Sequence, residues 1–259
     1  MERLRTEQPK GLTRQGLRKW GMLFVTLGVF GRGVLLNRYL GIAQMSGTQL
    51  LEAMSGGSDV MTAVTVSLIC LFAEACAAPI FCFLLAEGMT HTANAPKYIA
   101  RVLGLAAISE IPYNIAMSGK VLDVTTRNPV FAMAMALILL YLYGRYSEKK
   151  MTNLLLKAAF TVAAVFWSGL LRFEFGIPCV ILSVAFWGFR NKPNIRNLMG
   201  GIAAMLCSFF SVFFMMAPMG MMVMHFYNGE KGEGSRWLNY LFYPAVLVVA
   251  AVAGAIAFR

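Results

Sequence analysis

The sequence predicts an all-α fold, a polytopic bundle of transmembrane helices. Of the 259 residues, 58% are hydrophobic and 14% are charged, whereas about a quarter of the residues in soluble domains are charged. The mean hydropathy is +0.64. Several apolar runs approach the 20 or so residues that cross a hydrocarbon core. These observations exclude an ordinary soluble enzyme, and the length leaves no room for a sizeable soluble domain.

We expect about eight spans, within a range of eight to ten, in a single transmembrane domain at residues 20–259. The apolar runs lie near residues 20–40, 61–86, 97–117, 129–144, 153–171, 175–189, 198–226 and 238–258. Asn94 stands two residues before Pro96, and Asn128 stands directly before Pro129, a pattern typical of a helix N-terminus. Pro218 lies inside the long seventh run and predicts a kink or a split there.

The charge distribution predicts the orientation of the bundle. The chain has 23 Lys and Arg against 12 Asp and Glu, a formal net charge of +11. Basic residues concentrate in the cytoplasmic loops of membrane proteins. With a cytoplasmic N-terminus, most of them fall on the cytoplasmic side, beginning with the basic segment at residues 1–19. We therefore attribute the charge to topology in a lipid bilayer and expect no nucleic acid partner.

The cysteines give no sign of a metal site or of a disulfide framework. All five lie inside apolar runs and none forms a CxxC pair, so we expect them to act as small hydrophobic residues. They are Cys70, Cys76, Cys82, Cys179 and Cys207.

Glu74 is an ionisable residue deep inside the second apolar run. Such groups are costly in lipid and usually face a bundle interior or a water-filled cavity. The alternative is a structural role, with Glu74 protonated or hydrogen-bonded to a neighbouring helix. In the third run, Glu110 stands with Tyr113 and Asn114, where it could pair with Arg32 or Arg127 or line a pocket.

Glu87 and His91 are four residues apart, which places them on one face of a helix. A carboxylate beside a histidine can orient its ring and raise its basicity, so the pair is a candidate general base. The alternative is an ordinary interfacial loop whose polar residues meet water.

Lys97 and Arg101 follow at the same spacing. They could hold the phosphates of a nucleotide-bearing cofactor, or anchor the helix at the cytoplasmic interface. Arg172 and Glu174, between the fifth and sixth runs, are interpreted as a rim feature rather than as a site.

Short motifs along the chain resemble those of the TraX family in their sequences, order and spacing. The motifs are Ala78–Asn94, Ile108–Asn114, Asn128–Phe131, Phe175–Ile177 and, after Asn228-Gly229, Tyr240–Pro244. The resemblance implies a multi-pass protein of the bacterial cytoplasmic membrane. The founding member of the family is linked to N-terminal acetylation of conjugative pilin, and the family is similar to membrane acyltransferases that modify envelope components.

The resemblance implies site residues at the positions of this chain that match the motifs of the family. They are Glu87, Gly88, His91, Arg101, Glu110, Pro112, Asn114 and Asn128. Acetyl-CoA is the implied acyl donor, and an envelope or pilin-type molecule is the implied acceptor. The chain departs from the family twice. It has Val29-Phe30 where members usually carry an Asp-His pair, and Val246 where many carry a histidine.

Three functional hypotheses follow. In the first, the chain is a membrane acyltransferase with His91 as base, Glu87 orienting it, and Lys97 and Arg101 holding the donor. Arg32 would bind phosphate or pair with a carboxylate. The predicted pocket-lining residues are Glu74, Glu110, Tyr113, Asn114 and Asn128. The second hypothesis is a non-catalytic scaffold that lacks the Asp-His pair, and the third is a proton-coupled transporter with Glu74 as carrier.

Overall fold

The computed structural model describes residues 11–41, 57–148 and 150–257, and within them the chain is helical with no named β-strand. The helices are α1 (Arg14–Val29), α2 (Ser58–Ala75), α3 (Ala77–His91), α4 (Ala95–Ser118), α5 (Pro129–Arg145), α6 (Met151–Leu170), α7 (Gly176–Gly188), α8 (Pro193–Leu206), α9 (Ala217–His225) and α10 (Arg236–Ala257). The predicted all-α class is confirmed.

The first helix begins earlier than predicted and changes form halfway. Thr13 caps α1 by accepting a hydrogen bond from Gly16 N, so the helix includes Arg14 and Arg18 of the predicted basic segment. From Phe30 to Tyr39 the chain continues as a π-helix. π-helical turns are rare and frequently lie at functional sites. Most of the predicted basic segment, residues 1–10, lies outside the described residues.

The second predicted span is a helix that is interrupted at Cys76, between α2 and α3. Pro79 has no N–H to offer the carbonyl of Ala75, and its ring crowds that carbonyl. The chain makes a tight turn instead, in which Cys76 N donates to Ala73 O at 3.0 Å. Glu74 therefore lies at the interruption, a place where helices commonly change direction.

The seventh predicted span is split, as Pro218 suggested, but the break precedes the proline. α8 ends at Leu206, and two short 3₁₀ segments, Cys207–Phe209 and Val212–Met216, lead into α9. Pro218 lies in the first turn of α9, where its missing N–H costs no hydrogen bond. Gly220 packs so closely on the backbone of Cys76 that a Cβ there would collide with it.

The core is centred on α3. Its side chains are mostly buried, and it packs against α1, α5, α7 and α9. Phe83 of α3 meets Phe186 of α7 edge-on, with ring centroids 5.8 Å apart. By contrast α6 is peripheral and contacts α5 and α7. The outward side chains are apolar, as expected for surfaces that face lipid.

Four helical stretches in the described residues are long and apolar enough to cross a membrane. They are Arg14–Tyr39, Ser58–His91, Met151–Leu170 and Trp237–Ile256. The apolar stretches Pro129–Arg145, Gly176–Gly188 and Val212–His225 are shorter. The membrane-helix character of the chain is thus supported, while the count of eight spans and the cytoplasmic N-terminus stay predictions.

Candidate functional site

A cavity of about 480 Å³ runs between α1, α3, α4 and α10. One end, which we call the basic end, is lined by Arg14, Arg18, His91 and Arg101. Glu74 lines the opposite end, the acidic end. The helical path from Glu74 to His91 is about 25 Å long at 1.5 Å per residue. Between the ends the wall is largely apolar, so a bound molecule would meet cations at one end and a carboxylate at the other.

At the basic end, the ring of His91 is held through its Nδ1 nitrogen. It is the last residue of α3, and its Nδ1 lies 2.9 Å from the backbone O of Glu87 and 3.0 Å from Thr90 Oγ1. A carbonyl oxygen can only accept, so this contact assigns the proton to Nδ1. Whenever the ring is neutral, its lone pair is therefore on Nε2, as a general base requires.

The carboxylate of Glu87 serves a different purpose from the predicted one. Its Oε1 accepts from Arg14 Nη2 at 2.9 Å and also from the hydroxyl of Tyr227. Burial, and then the hydrogen bond to Glu87, raises the pKa of Tyr227 to about 12. The prediction that the Glu87 side chain orients His91 is therefore wrong: the backbone carbonyl does so, while the carboxylate holds α1 and the segment after α9.

Backbone pairing fixes the position of Arg14 and Arg18. Leu12 N donates to Phe226 O at 2.7 Å, and Asn228 N donates to Leu12 O at 2.9 Å. The first N–H groups of α1, which have no partner inside the helix, donate to the carbonyls of Glu230 and Lys231.

At the acidic end, Arg32 lies between two carboxylates. Its Nη2 is 3.0 Å from Glu74 Oε2, and its Nη1 pairs with Glu174 Oε1. Tyr113 donates to Glu174 Oε2 at 2.9 Å, and the guanidinium lies 5.6 Å from the centroid of the Phe175 ring. We call Arg32, Glu74, Tyr113 and Glu174 the charge cluster.

Irregular backbone brings the charge cluster together. Arg32 stands in the π-helical segment and Glu74 at the interruption before α3. Tyr113 follows Pro112 inside α4, and Phe175 precedes α7 with a φ of 55°, a conformation uncommon outside glycine. Gly28 of α1 faces Glu74 so closely that a Cβ would collide with its side chain. Close approach of α1 to Glu74 therefore needs glycine at this position.

Beside the charge cluster, Glu110 ties the start of α5 to the middle of α4. Arg127 Nη1 lies 3.4 Å from Glu110 Oε1, and Asn128 Nδ2 donates to Glu110 Oε2 at 2.6 Å. Asn128 Oδ1 accepts from Val130 N, so the predicted N-cap is confirmed. A short bridge, with Arg127 N donating to Arg172 O and Glu174 N donating to Arg127 O, joins this group to the charge cluster.

Comparison with known proteins decides the family. A family model described as "TraX protein" matches residues 50–253. The chain belongs to the TraX family. It is 27% identical over 190 residues to the "Probable fimbrial assembly protein FimC, serogroup H1" of Dichelobacter nodosus, over 64% of this chain and 75% of that protein. No solved structure matches the chain.

The TraX fold places the predicted donor-binding residues differently. Arg101 lines the cavity, whereas Lys97, although described, does not and is exposed. Arg32 pairs with carboxylates at the acidic end, the second of its two predicted roles. Arg18, which the sequence analysis did not single out, lines the basic end with its Nη1 3.0 Å from Gln15 Oε1.

Of the predicted pocket-lining residues, all within the described chain, Glu74 reaches the cavity wall. Glu110, Tyr113, Asn114 and Asn128 are absent from the wall. Glu110 and Asn128 bond each other, Tyr113 bonds Glu174, and Asn114 Nδ2 donates to Val121 O at 3.4 Å. Glu174 was interpreted as a rim residue, and this is wrong: its side chain is 10% exposed and pairs with Arg32. Its position next to the Phe175–Ile177 motif was the signal in the sequence that could have revealed it.

Proposed function

We propose that the chain is an integral membrane acyltransferase that moves an acetyl or other acyl group from acyl-CoA to an amine or hydroxyl of an envelope or pilin-type acceptor. The observation that carries the proposal is the cavity, because it joins arginines at one end, of which Arg101 is exposed, to a buried carboxylate at the other. A molecule with phosphates at one end and a long uncharged arm suits this order of side chains.

Arg18 and Arg101 would bind the phosphates of the donor. A guanidinium matches phosphate geometry in bidentate fashion, and the side chain of Arg101 is exposed at this end. The apolar wall of the cavity would take the uncharged arm, which must fold back toward the basic end so that the thioester lies within reach of His91. Lys97 would make a weaker, peripheral contact with the donor, because it lies one helical turn from Arg101 but does not line the cavity.

His91 would act as the general base. Nε2 takes the proton of the acceptor amine or hydroxyl as the nucleophile attacks the thioester carbonyl. The C–S bond then breaks, and the CoA thiolate leaves and is protonated. Groups that transfer protons in this way contribute about 10²–10⁴-fold to rate. The backbone carbonyl of Glu87 keeps the ring in the tautomer that this step needs.

The chain offers a matched control for His91, because it has two histidines and His225 ends α9 away from the cavity wall. In proteoliposomes supplied with labelled acetyl-CoA and an amine or hydroxyl acceptor, His91→Ala should lower transfer by about 100-fold or more. His225→Ala should leave it unchanged. Undiminished transfer by His91→Ala would eliminate this residue from the mechanism.

Donor binding is tested separately by thermal unfolding in the presence of CoA, since a ligand that binds the folded state raises its apparent stability. We expect a shift for the natural chain and for Lys97→Ala. Arg101→Ala should bind about 10- to 100-fold more weakly, because a hydrogen bond to a charged group contributes about 1.5–3 kcal/mol. The absence of any shift at saturating CoA would contradict the proposal.

A non-catalytic role in assembly of an envelope structure is the second candidate. The name of the Dichelobacter nodosus relative, a probable fimbrial assembly protein, favours it, as does Val29-Phe30 where TraX-like sequences usually carry Asp-His. This candidate expects no CoA-dependent shift and no transfer, together with a pilus assembly defect on deletion that His91→Ala does not reproduce.

A further inference from the structure

Two cysteines that the proposed reaction does not use meet in the wall of the cavity. Cys82 of α3 and Cys179 of α7 both line it, and their Sγ atoms are 3.6 Å apart. Cys82 Sγ also lies 3.7 Å from the backbone O of Cys179. The side chains are buried, with relative exposures of 2% and 5%, so the cavity itself is the route by which a small reagent reaches them.

The other three cysteines of the chain have different surroundings from this pair, so they serve as controls within the same protein. Cys76 directs its Sγ to the backbone O of Met216 at 3.1 Å. Cys70 is half-buried on α2, where a Cβ added at Gly31 would approach it. Cys207 is buried at the start of the 3₁₀ segment after α8.

The separation of the two sulfurs is within reach of a covalent bond. A disulfide has an S–S length of about 2.05 Å, so the sulfurs must approach by about 1.5 Å. They belong to helices that already pack on each other, through Phe83 and Phe186. Both side chains also line the cavity, so they border open space on one side.

We propose that Cys82 and Cys179 form a reversible redox site in the cavity wall. A small thiol oxidant, either a low-molecular-weight disulfide or a quinone, converts the dithiol to a disulfide. Two S–H bonds break and one S–S bond forms. The two electrons and two protons pass to the oxidant, which becomes two thiols or a quinol. The new bond joins α3 to α7, so the width of the cavity depends on its redox state.

The test uses the full-length purified chain in detergent and the diazene oxidant diamide, which accepts two electrons and two protons. After denaturation, thiols are counted by the gel shift that a polyethylene glycol maleimide produces. The reduced chain should take up five labels and the oxidised chain two fewer, and dithiothreitol should restore all five. Cys82→Ser and Cys179→Ser should each lose no label on oxidation, whereas Cys70→Ser should still lose two.

A second measurement needs no variant. Peptide mass spectrometry of the oxidised natural chain should find a peptide containing Cys82 linked to one containing Cys179, in the monomeric band of a non-reducing gel. Retention of all five thiols after oxidation would overturn the inference. So would a link from Cys82 to Cys207, or the loss of two labels in folded Cys82→Ser. None of these outcomes depends on acyl transfer, so the proposed function is tested independently.

Discussion

At the acidic end of the cavity, Arg32 pairs with Glu74 and Glu174, and these carboxylates are about 10% exposed. At the basic end, Arg101 is exposed and has no ion pair within the described residues. Removing a charged side chain from water costs free energy, so buried charges need partners. The side chains of the charge cluster are therefore occupied by one another and stabilise the fold. An exposed arginine beside a cavity remains available for a ligand. Arg32 thus serves the structure at one end, whereas Arg101 at the other end is the arginine that the proposed function assigns to binding.

Removing the shared cation should give the largest effect on stability. Arg32→Met leaves Glu74 and Glu174 buried without a counter-charge, and we expect a loss of about 3 kcal/mol in the free energy of unfolding. Denaturant titration in one detergent measures it. Arg172→Met, which changes an exposed arginine, is the control and should change little. Equal losses in the two variants would contradict the contrast between the ends.

Gly28→Ala should have the next largest effect, because the added Cβ collides with the side chain of Glu74. Overpacking of this kind costs about 1–3 kcal/mol. Gly104 of α4 has nothing within 4 Å of an added Cβ, so Gly104→Ala should be neutral or stabilising by up to about 1 kcal/mol. If Gly28→Ala is as stable as Gly104→Ala, α1 does not pack on Glu74 as described.

Tyr227→Phe should cost about 1 kcal/mol, the usual net value of a hydrogen bond, because its hydroxyl donates to Glu87. Tyr240→Phe is the control. Burial raises the pKa of Tyr227 to about 12, above the ordinary value of about 10. The contribution should therefore be constant below pH 10 and be lost between about pH 10 and 12. Unfolding measured at several pH values checks this window, and a loss that begins near pH 7 would contradict it.

Arg101→Ala should have the smallest effect on stability, within about 0.5 kcal/mol, as is usual for exposed positions. Calorimetric unfolding without ligand measures it. A cost comparable to that of Arg32→Met would show that Arg101 is structural, and the comparison between the two ends would fail.

The bounds of a helix could be predicted from the sequence where a single local signal, such as a capping residue, determines them. The bounds of α5 follow from Asn128-Pro129 and the apolar run behind it, and the N-cap of α4 follows from Asn94. The split before α9 was predictable in kind from Pro218 but not in place. The turn at Cys207–Met216 depends on tertiary contacts, in which Phe213 packs on Phe72 of α2 and Phe214 packs on Phe175. The spacing of apolar residues along the sequence carries no information about such tertiary contacts.

The sequence predicted several residues of the site, but it did not predict how these residues are paired. Glu74 could be found from its isolation in an apolar run, and Arg101 and His91 from their positions near the end of a helix. The pairing of Glu87 with Arg14 and Tyr227 joins residues separated by 73 and 140 positions. The pairing of Arg32 with Glu174 likewise needs the π-helical segment and the left-handed turn at Phe175. Such contacts depend on tertiary structure and leave no local pattern.

The shortness of α7 has an electrical consequence. Its 13 residues rise about 20 Å, against a hydrocarbon thickness of about 30 Å, and it begins beside Glu174. If α7 is one of the predicted spans, part of the voltage in an energised membrane falls across a thinner insulating layer here than in the surrounding lipid. Moving one elementary charge across the whole membrane corresponds to about 2.3 kcal/mol per 100 mV. Because the field is steeper where the insulating layer is thinner, it should be steepest next to Arg32 and Glu74.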